Sequence, residues 1–195
     1  MLGLLQPTDR RWVDAVEADL GAMLRDHAHC ELKAAHSALS LLGRYAGEAP
    51  QLVTPLTALA REESEHFEQV HERLRQRGDS LPMPSHDVYV TALTQAARRN
   101  THDDHPPLLD RLLVAGLIEG RSCERFKLLS QHLRDGELRS FYAELMASEA
   151  QHFTLFTSLA SDCFGDRAAR ERMATLAGRE AEIVSGLPLS AEVHG

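Results

Sequence analysis

Apolar residues recur at three- and four-residue steps along nearly the whole chain, which is the spacing of one face of an α-helix. Alternating runs rich in Val, Ile and Thr, the pattern of half-buried strands, are missing. We therefore predict essentially no strand. After a first helical stretch capped by Thr8-Asp9, start and stop residues divide the pattern into helices over about 19–45, 50–77, 85–99, 107–134, 137–163 and 166–184.

Several of these helix boundaries depend on individual residues. Gly21 is a candidate break point in the first long helix, because glycine weakens a helix interior. Thr54-Pro55 fits a cap followed by a first-turn proline. Ser85 is expected to cap the shorter helix, and Asp166 the last one.

The connections between the helices predict the topology. The first two long helices, and the last two, are joined by short turns and should form antiparallel hairpins. The 29 residues from 78 to 106 are enough for a crossover along a bundle. We predict an all-α fold, a four-helix bundle with a long crossover and additional helices. The chain would be a single domain over 1–195, with its core bundle at about 19–163 and an extra C-terminal helix at about 166–184.

Charged residues interrupt the apolar stripes of all four long helices. Two stripes carry a Glu-x-x-His in their centre, and the other two carry a single glutamate at the corresponding place. The residues concerned are Glu31, Glu63, His66, Glu119, Glu149 and His152.

Four buried carboxylates would be costly without cationic partners, and the same stripes contain no arginine to pair with them. A pair of divalent cations would solve this problem. In a hairpin that turns at 45–52, Glu31 and Glu63 lie at heights of roughly 21 and 17 Å, within one helical turn of each other. Glu119 and Glu149 lie at about 22 and 18 Å in the second hairpin, so all six groups are expected to converge.

One glutamate and one Glu-x-x-His from each of two hairpins is the ligand pattern of ferritin-like di-iron carboxylate bundles. The alternative for each residue alone is a core histidine or a misjudged helix phase, but the joint pattern favours the metal site. Oxygen-rich ligands with one imidazole per metal suit iron or manganese better than zinc. The ligands leave iron storage, peroxide disproportionation and C–H hydroxylation open as activities.

Charge narrows the classes of partner. With 21 basic and 29 acidic residues the formal net charge is −8, which excludes binding to nucleic acid through bulk positive charge. Three widely spaced cysteines favour a reducing compartment over a disulfide framework, so we expect a cytoplasmic protein. Neither a signal peptide nor a membrane-spanning run is expected.

Four sequence segments are similar to a known family. They are Asp-His-Ala-His-Cys-Glu-Leu-Lys-Ala-Ala at 26–35, Leu-Ala-Arg-Glu-Glu-Ser-Glu-His-Phe-Glu-Gln-Val at 59–70, Ile-Glu-Gly-Arg-Ser-Cys-Glu-Arg-Phe at 118–126 and Ser-Glu-Ala-Gln-His-Phe at 148–153. Over about residues 2–165 the chain resembles the bacterial tRNA 2-methylthio-N6-isopentenyladenosine hydroxylases, although Gly120 stands where that family is expected to have alanine.

The resemblance implies a monooxygenase with two iron ions that uses dioxygen and two external electrons. Its substrate would be the isopentenyl group of the modified adenosine beside the tRNA anticodon, and its electron donor a ferredoxin or reductase. The implied metal ligands are the six residues of the stripes. No catalytic residue separate from the di-iron centre is expected.

Further candidate residues lie outside the ligand set. His27 lies one turn before Glu31 on the same face and is a candidate for supporting that ligand or contacting substrate, with a structural histidine as the alternative. Arg121 is a candidate of the same kind through the resemblance. Arg98 and Arg99 are candidate tRNA contacts, with a solvated helix face as the alternative.

The rival functions are another ferritin-like di-iron oxygenase that acts on a small molecule, and ferritin-type iron storage or ferroxidase activity. We expect a monomer or small oligomer without a membrane partner, whereas a storage protein would form a large shell.

Overall fold

Helices dominate the computed structural model, which describes residues 2–84, 86–98 and 105–194. Within these ranges no residue is assigned to a strand, as the periodicity predicted. One 3-10 turn, Pro50–Leu52, precedes the third helix. The helices are α1 (Arg11–Ala18), α2 (Leu20–Tyr45), α3 (Val53–Gln76), α4 (Val88–Arg98), α5 (Pro107–His132), α6 (Gly136–Phe164) and α7 (Asp166–Gly186).

The described chain forms two compact units, which we call the α2–α3 unit and the α5–α6 unit. The first contains α2, the 3-10 turn and α3, together with the tail residues 191–193. The second contains α1 up to Glu17 and helices α4 to α7. A single domain over 1–195 stays a prediction.

In the α2–α3 unit, the two long helices pack against each other as the predicted hairpin. The interruption before α2 falls at Asp19 and not at Gly21, which lies inside the helix. The Asp19 side chain accepts a hydrogen bond from the backbone N–H of Ala22 at 2.8 Å, and this cap begins a new helix. The break therefore comes from a capping side chain and not from glycine flexibility.

The start of α3 also differs from the prediction. Leu52 occupies the N-cap position and makes no side-chain capping bond, whereas Thr54 and Pro55 lie within the first helical turn. The 3-10 turn runs directly into α3, so a polar cap is not what begins the helix. Proline is tolerated there because first-turn N–H groups have no intrahelical partner.

In the α5–α6 unit, α5 and α6 form the second predicted hairpin, and α7 packs against α4, α5 and α6. Asp135 caps α6 by accepting hydrogen bonds from the N–H groups of Glu137 and Leu138. The cap of α7 was predicted wrongly. Gly165, with φ of 85°, takes the N-cap position, and Asp166 is the first helical residue.

The short helix α4 begins next to Asp87, whose side chain accepts a hydrogen bond from the N–H of Val90 at 2.9 Å. Ser85, the expected cap, lies outside the described residues. At the other end of α4, Arg172 and Arg179 of α7 donate to the carbonyl oxygens of Ala97 and Ala96. These bonds satisfy helix-end carbonyls and fasten α4 to α7.

Among the described helices, none combines the length and the apolar character needed to cross a membrane.

Candidate metal centre

The α2–α3 unit contains three of the six predicted ligands in one buried group, which we call the first Glu-His cluster: Glu31, Glu63 and His66. Their exposed fractions are 4%, 0% and 6%. Each residue offers one oxygen or nitrogen atom, and these atoms lie within 4.8 Å of one another. Helix periodicity explains the local arrangement, because Glu63 and His66 are three residues apart and project from the same face of α3.

The α5–α6 unit contains the other three, which form the second Glu-His cluster: Glu119, Glu149 and His152. All three are buried, with exposed fractions of 2% to 6%. Glu119 on α5 and His152 on α6 offer ligand atoms within 4.8 Å of each other. Glu149 Oε2 lies 3.8 Å from His152 Nδ1. The two clusters therefore repeat one composition, two glutamates and one histidine, on two hairpins.

The distances within the clusters fit ligands of a common ion better than hydrogen bonds. His66 Nδ1 lies 3.6 Å from Glu63 Oε2 and 3.9 Å from Glu31 Oε2. Both distances exceed the hydrogen-bond range of about 2.7–3.2 Å. At metal–ligand distances of about 2.0–2.2 Å, two donors to the same ion lie about 3–4 Å apart.

Glu149 supports the same interpretation. Among the described residues, no donor forms a hydrogen bond to its buried Oε2 atom. Burying a carboxylate oxygen in this position costs folding free energy unless a cation neutralises its charge. The oxygen-rich donor set with one imidazole in each cluster therefore fits iron or manganese.

Of the cysteines near the ligands, Cys123 has a thiol that holds its proton at neutral pH. Cys123 donates a hydrogen bond to the carbonyl oxygen of Met146, and burial, with the nearby Glu149 as a smaller cause, raises the pKa of its thiol to about 11. Cys30 is only half-buried, and its thiol donates to Asp26 Oδ2 at 3.7 Å. Because it is neutral and buried, the thiol of Cys123 alone is a packing group and not a metal ligand at neutral pH.

Arg121 is completely buried in the α5–α6 unit. Its guanidinium donates to Glu180 Oε1 at 2.7 and 2.9 Å and to Glu124 Oε2 at 2.5 Å. It also donates to the hydroxyl of Thr8 and the carbonyl oxygen of Gln6. These bonds tie α5 to α7 and to the N-terminal segment, whereas a contact between Arg121 and substrate stays a prediction.

Two of the remaining candidates, His27 and Arg98, lie in the described part of the chain. His27 is completely buried beside Glu31. Arg98 is exposed at the last residue of α4, and Arg99 lies outside the described residues.

The sequence interpretation missed Glu180, which is completely buried and also accepts a hydrogen bond from the phenol of Tyr89 at 3.1 Å. The signal was present, because Arg172, Leu176 and Glu180 follow four-residue steps on α7. A charged residue in an apolar stripe thus marked a buried site on α7, as it did on the four ligand helices.

Comparison with known proteins identifies the family. The model of the tRNA-(MS[2]IO[6]A)-hydroxylase (MiaE) family matches residues 2–195. The chain belongs to this family. Its members are enzymes, so the predicted class of oxidoreductase acting on tRNA is confirmed, as is the resemblance found in the sequence.

Two curated relatives share one name. The chain is similar to the tRNA 2-(methylsulfanyl)-N(6)-isopentenyladenosine(37) hydroxylase of Pseudomonas putida, with 42% identity over 83% of this chain and 76% of the relative. It is also similar to the enzyme of that name from Salmonella typhimurium, with 30% identity over 79% of this chain and 73% of the relative.

A solved structure from Synechococcus is similar in fold. It is described as protein 43 with aldehyde deformylating oxygenase activity, and it is 39% identical to this chain with a TM-score of 0.90. The match covers 98% of this chain and 95% of the other. The all-α, ferritin-like fold class is thereby confirmed.

Proposed function

We propose that this protein is a di-iron monooxygenase that hydroxylates the isopentenyl group of 2-methylthio-N6-isopentenyladenosine beside the tRNA anticodon. The observation that carries the proposal is the repeated Glu-His cluster in a chain whose family model spans residues 2–195. The relatives' names supply the substrate, and the clusters supply groups suited to the chemistry.

In this proposal each cluster holds one iron ion. Glu31, Glu63 and His66 would bind the first ion, and the second would be bound by the residues of the other cluster, Glu119, Glu149 and His152. When bound, the iron pair supplies the two-electron reduction of dioxygen that inserts one oxygen atom into a C–H bond. The chain's own contribution is to hold carboxylate and imidazole donors in a buried place, since the six side chains are at most 6% exposed.

The reaction balances with an external reductant. One C–H bond of the prenyl group, one dioxygen, two electrons and two protons give one alcohol and one water. Among the described residues, none can supply two electrons for every turnover. The proposal therefore includes an electron-transfer protein such as a ferredoxin or a reductase.

Recognition of tRNA must depend on local contacts. Two ferrous ions would change the formal charge from −8 to −4, which is still the wrong sign for bulk attraction. The anticodon loop presents single-stranded bases, so a prenyl group can reach a pocket without extensive contacts to duplex RNA. We propose Arg98 and Arg99 as phosphate contacts, in a cytoplasmic monomer or small oligomer.

The decisive experiment uses the full chain loaded anaerobically with ferrous iron and reduced. It is incubated with dioxygen and tRNA that carries the 2-methylthio-N6-isopentenyl modification, and the RNA is then digested for mass analysis. We expect one added oxygen atom on the prenylated nucleoside. Fully loaded protein that leaves this nucleoside unchanged would refute the proposed substrate.

Two comparison arms separate the rival functions. The same preparation is given a long-chain aldehyde, because the solved relative is described by an aldehyde deformylating oxygenase activity. Deformylated product in place of modified nucleoside would favour a small-molecule oxygenase. Light scattering provides the second arm, since a large shell that accumulates many iron ions per chain would favour storage.

Basic contacts are tested through salt dependence. Loss of one phosphate contact reduces the slope of log K against log salt by about 1. We expect this change for Arg98→Gln, with exposed Arg167→Gln on α7 as the matched control. Equal slopes for the wild type and Arg98→Gln would contradict a phosphate contact at this position.

A further inference from the structure

His27 and Glu31 form a short hydrogen bond in the interior of the α2–α3 unit. His27 Nε2 lies 2.5 Å from Glu31 Oε1, and the two residues are four apart on α2, so their side chains lie one above the other. His27 has no exposed surface, and Glu31 is 4% exposed. This histidine therefore lies beside one proposed ligand of the first Glu-His cluster.

The direction of this bond follows from the chemistry of its two partners. As a metal ligand Glu31 would be an ionised carboxylate, which only accepts hydrogen bonds, so the ring nitrogen Nε2 of His27 would carry the hydrogen and donate it to Oε1. The second carboxylate oxygen, Oε2, lies 3.9 Å from His66 Nδ1. One oxygen of Glu31 is thus occupied by His27, and the other lies beside the histidine of the cluster.

The contact between His27 and Glu31 bears on the three roles that the sequence left open for His27: support of the ligand, contact with substrate, and a structural histidine. The ring nitrogen of this fully buried residue touches a proposed ligand directly, which favours support of that ligand. An outer partner of this kind holds a carboxylate in one orientation and limits it to one-oxygen coordination.

We infer that His27 is a positioning residue that orients Glu31 so that Oε2 alone faces the metal of the first Glu-His cluster. This inference rests on the proposed function, because it requires Glu31 to be a metal ligand. It adds a specific asymmetry: iron at the first cluster depends on His27, and iron at the second cluster does not.

The test is an anaerobic titration with ferrous iron against a chromogenic chelator, carried out on the wild type, His27→Leu and His27→Gln. We expect two ions per chain in the wild type. In His27→Leu one ion should bind about 10–100-fold more weakly, while the affinity for the other is unchanged. His27→Gln should recover most of the loss, since its amide N–H can donate to the same oxygen.

Thermal unfolding of the metal-free proteins distinguishes positioning from a merely structural role. We expect His27→Gln to unfold near the wild-type temperature and still to bind two ions. The inference would be overturned if a His27 variant bound both ions more weakly by the same factor and also unfolded at a lower temperature. Failure of His27→Gln to improve on His27→Leu would also overturn it. His36→Gln, an exposed histidine on the same helix, is the matched control.

Failure of this inference can be told apart from failure of the proposed function. Two ions bound with unchanged affinity in His27→Leu would refute the positioning role while leaving the metal centre intact. No ferrous iron bound by the wild type would refute both the metal centre and the positioning role.

Discussion

Arg121 Nη2 lies 2.7 Å from Glu180 Oε1, and neither side chain has any exposed surface. The two residues are 59 positions apart, on α5 and α7. Arg121 lies two residues after Glu119, so this ion pair fastens α7 to the part of α5 that contributes to the second Glu-His cluster.

Breaking this pair from one side should destabilise the protein strongly. Removing one partner of a buried ion pair costs about 3–5 kcal/mol, because the other charge remains buried. We expect Arg121→Met and Glu180→Met each to lower the free energy of unfolding by this amount in urea titrations. The double variant should lose much less than the sum of the two, whereas additive losses would show that the residues act independently.

Tyr89 should make stability sensitive to alkaline pH. Burial, and then the neighbouring Glu180, raises the pKa of Tyr89 well above its ordinary value. The unfolded chain releases this proton at about pH 10, while the folded chain retains it to higher pH. The contribution of Tyr89 is therefore complete below about pH 10 and is lost as pH rises above it.

The measurement for Tyr89 is a series of urea titrations of the wild type and Tyr89→Phe between neutral and alkaline pH. Below about pH 10 the free energies of unfolding of the two proteins should differ by a constant amount. Above about pH 10 the wild type should lose stability relative to Tyr89→Phe by up to about 1.4 kcal/mol per pH unit. A constant difference over the whole range would contradict the raised pKa.

Substitution by alanine should change the free energy of unfolding differently at two helical glycines. A Cβ atom at Gly178 would meet no atom of the described residues within 4 Å, so Gly178→Ala should raise the free energy of unfolding by about 0.5–1 kcal/mol. A Cβ atom at Gly120 would lie 3.1 Å from the carbonyl oxygen of Leu2 and 3.3 Å from the ring of Phe153. Gly120→Ala should therefore gain less than Gly178→Ala, and an equal gain would show that the N-terminal segment yields without cost.

Iron loading should depend on the buried glutamates and should not depend on exposed ones. We expect Glu63→Gln and Glu149→Gln each to lose at least one iron ion per chain and to lose hydroxylase activity, because each removes a charged ligand from one cluster. Exposed Glu65→Gln on α3 is the matched control. Metal analysis after anaerobic reconstitution measures the effect, and two ions retained in Glu63→Gln or Glu149→Gln would contradict the ligand assignment.

Iron should also stabilise the folded protein. An ion that binds the folded chain and not the unfolded one adds about 2.7 kcal/mol at a free concentration 100 times its Kd. We expect chelation to lower the Tm of the wild type and to leave the Tm of a variant lacking both Glu63 and Glu149 carboxylates unchanged. Calorimetry with and without chelator measures both, and an equal response of the two proteins would contradict stabilisation through the clusters.

The sequence by itself determined the helices and the residues within their buried stripes. Periodicity of three and four residues is a local property, so it placed Glu63 and His66 on one face of α3 and Glu149 and His152 on one face of α6 without knowledge of packing. The helix-end mistakes came from competing local signals. At Asp19 a side-chain cap began α2, and at Gly165 a left-handed backbone residue displaced the predicted cap.

Only the tertiary structure decided where the buried charges find their partners. Arg121 was a candidate through the family resemblance alone. Its pairing with Glu180 depends on how α7 packs against α5, and helix spacing carries no information about contacts between distant segments. His27 and Glu31 shared a helix face by spacing alone, whereas the rotamers that join Nε2 to Oε1 are set by the surrounding packing. Local patterns thus selected the residues, and long-range packing selected their partners.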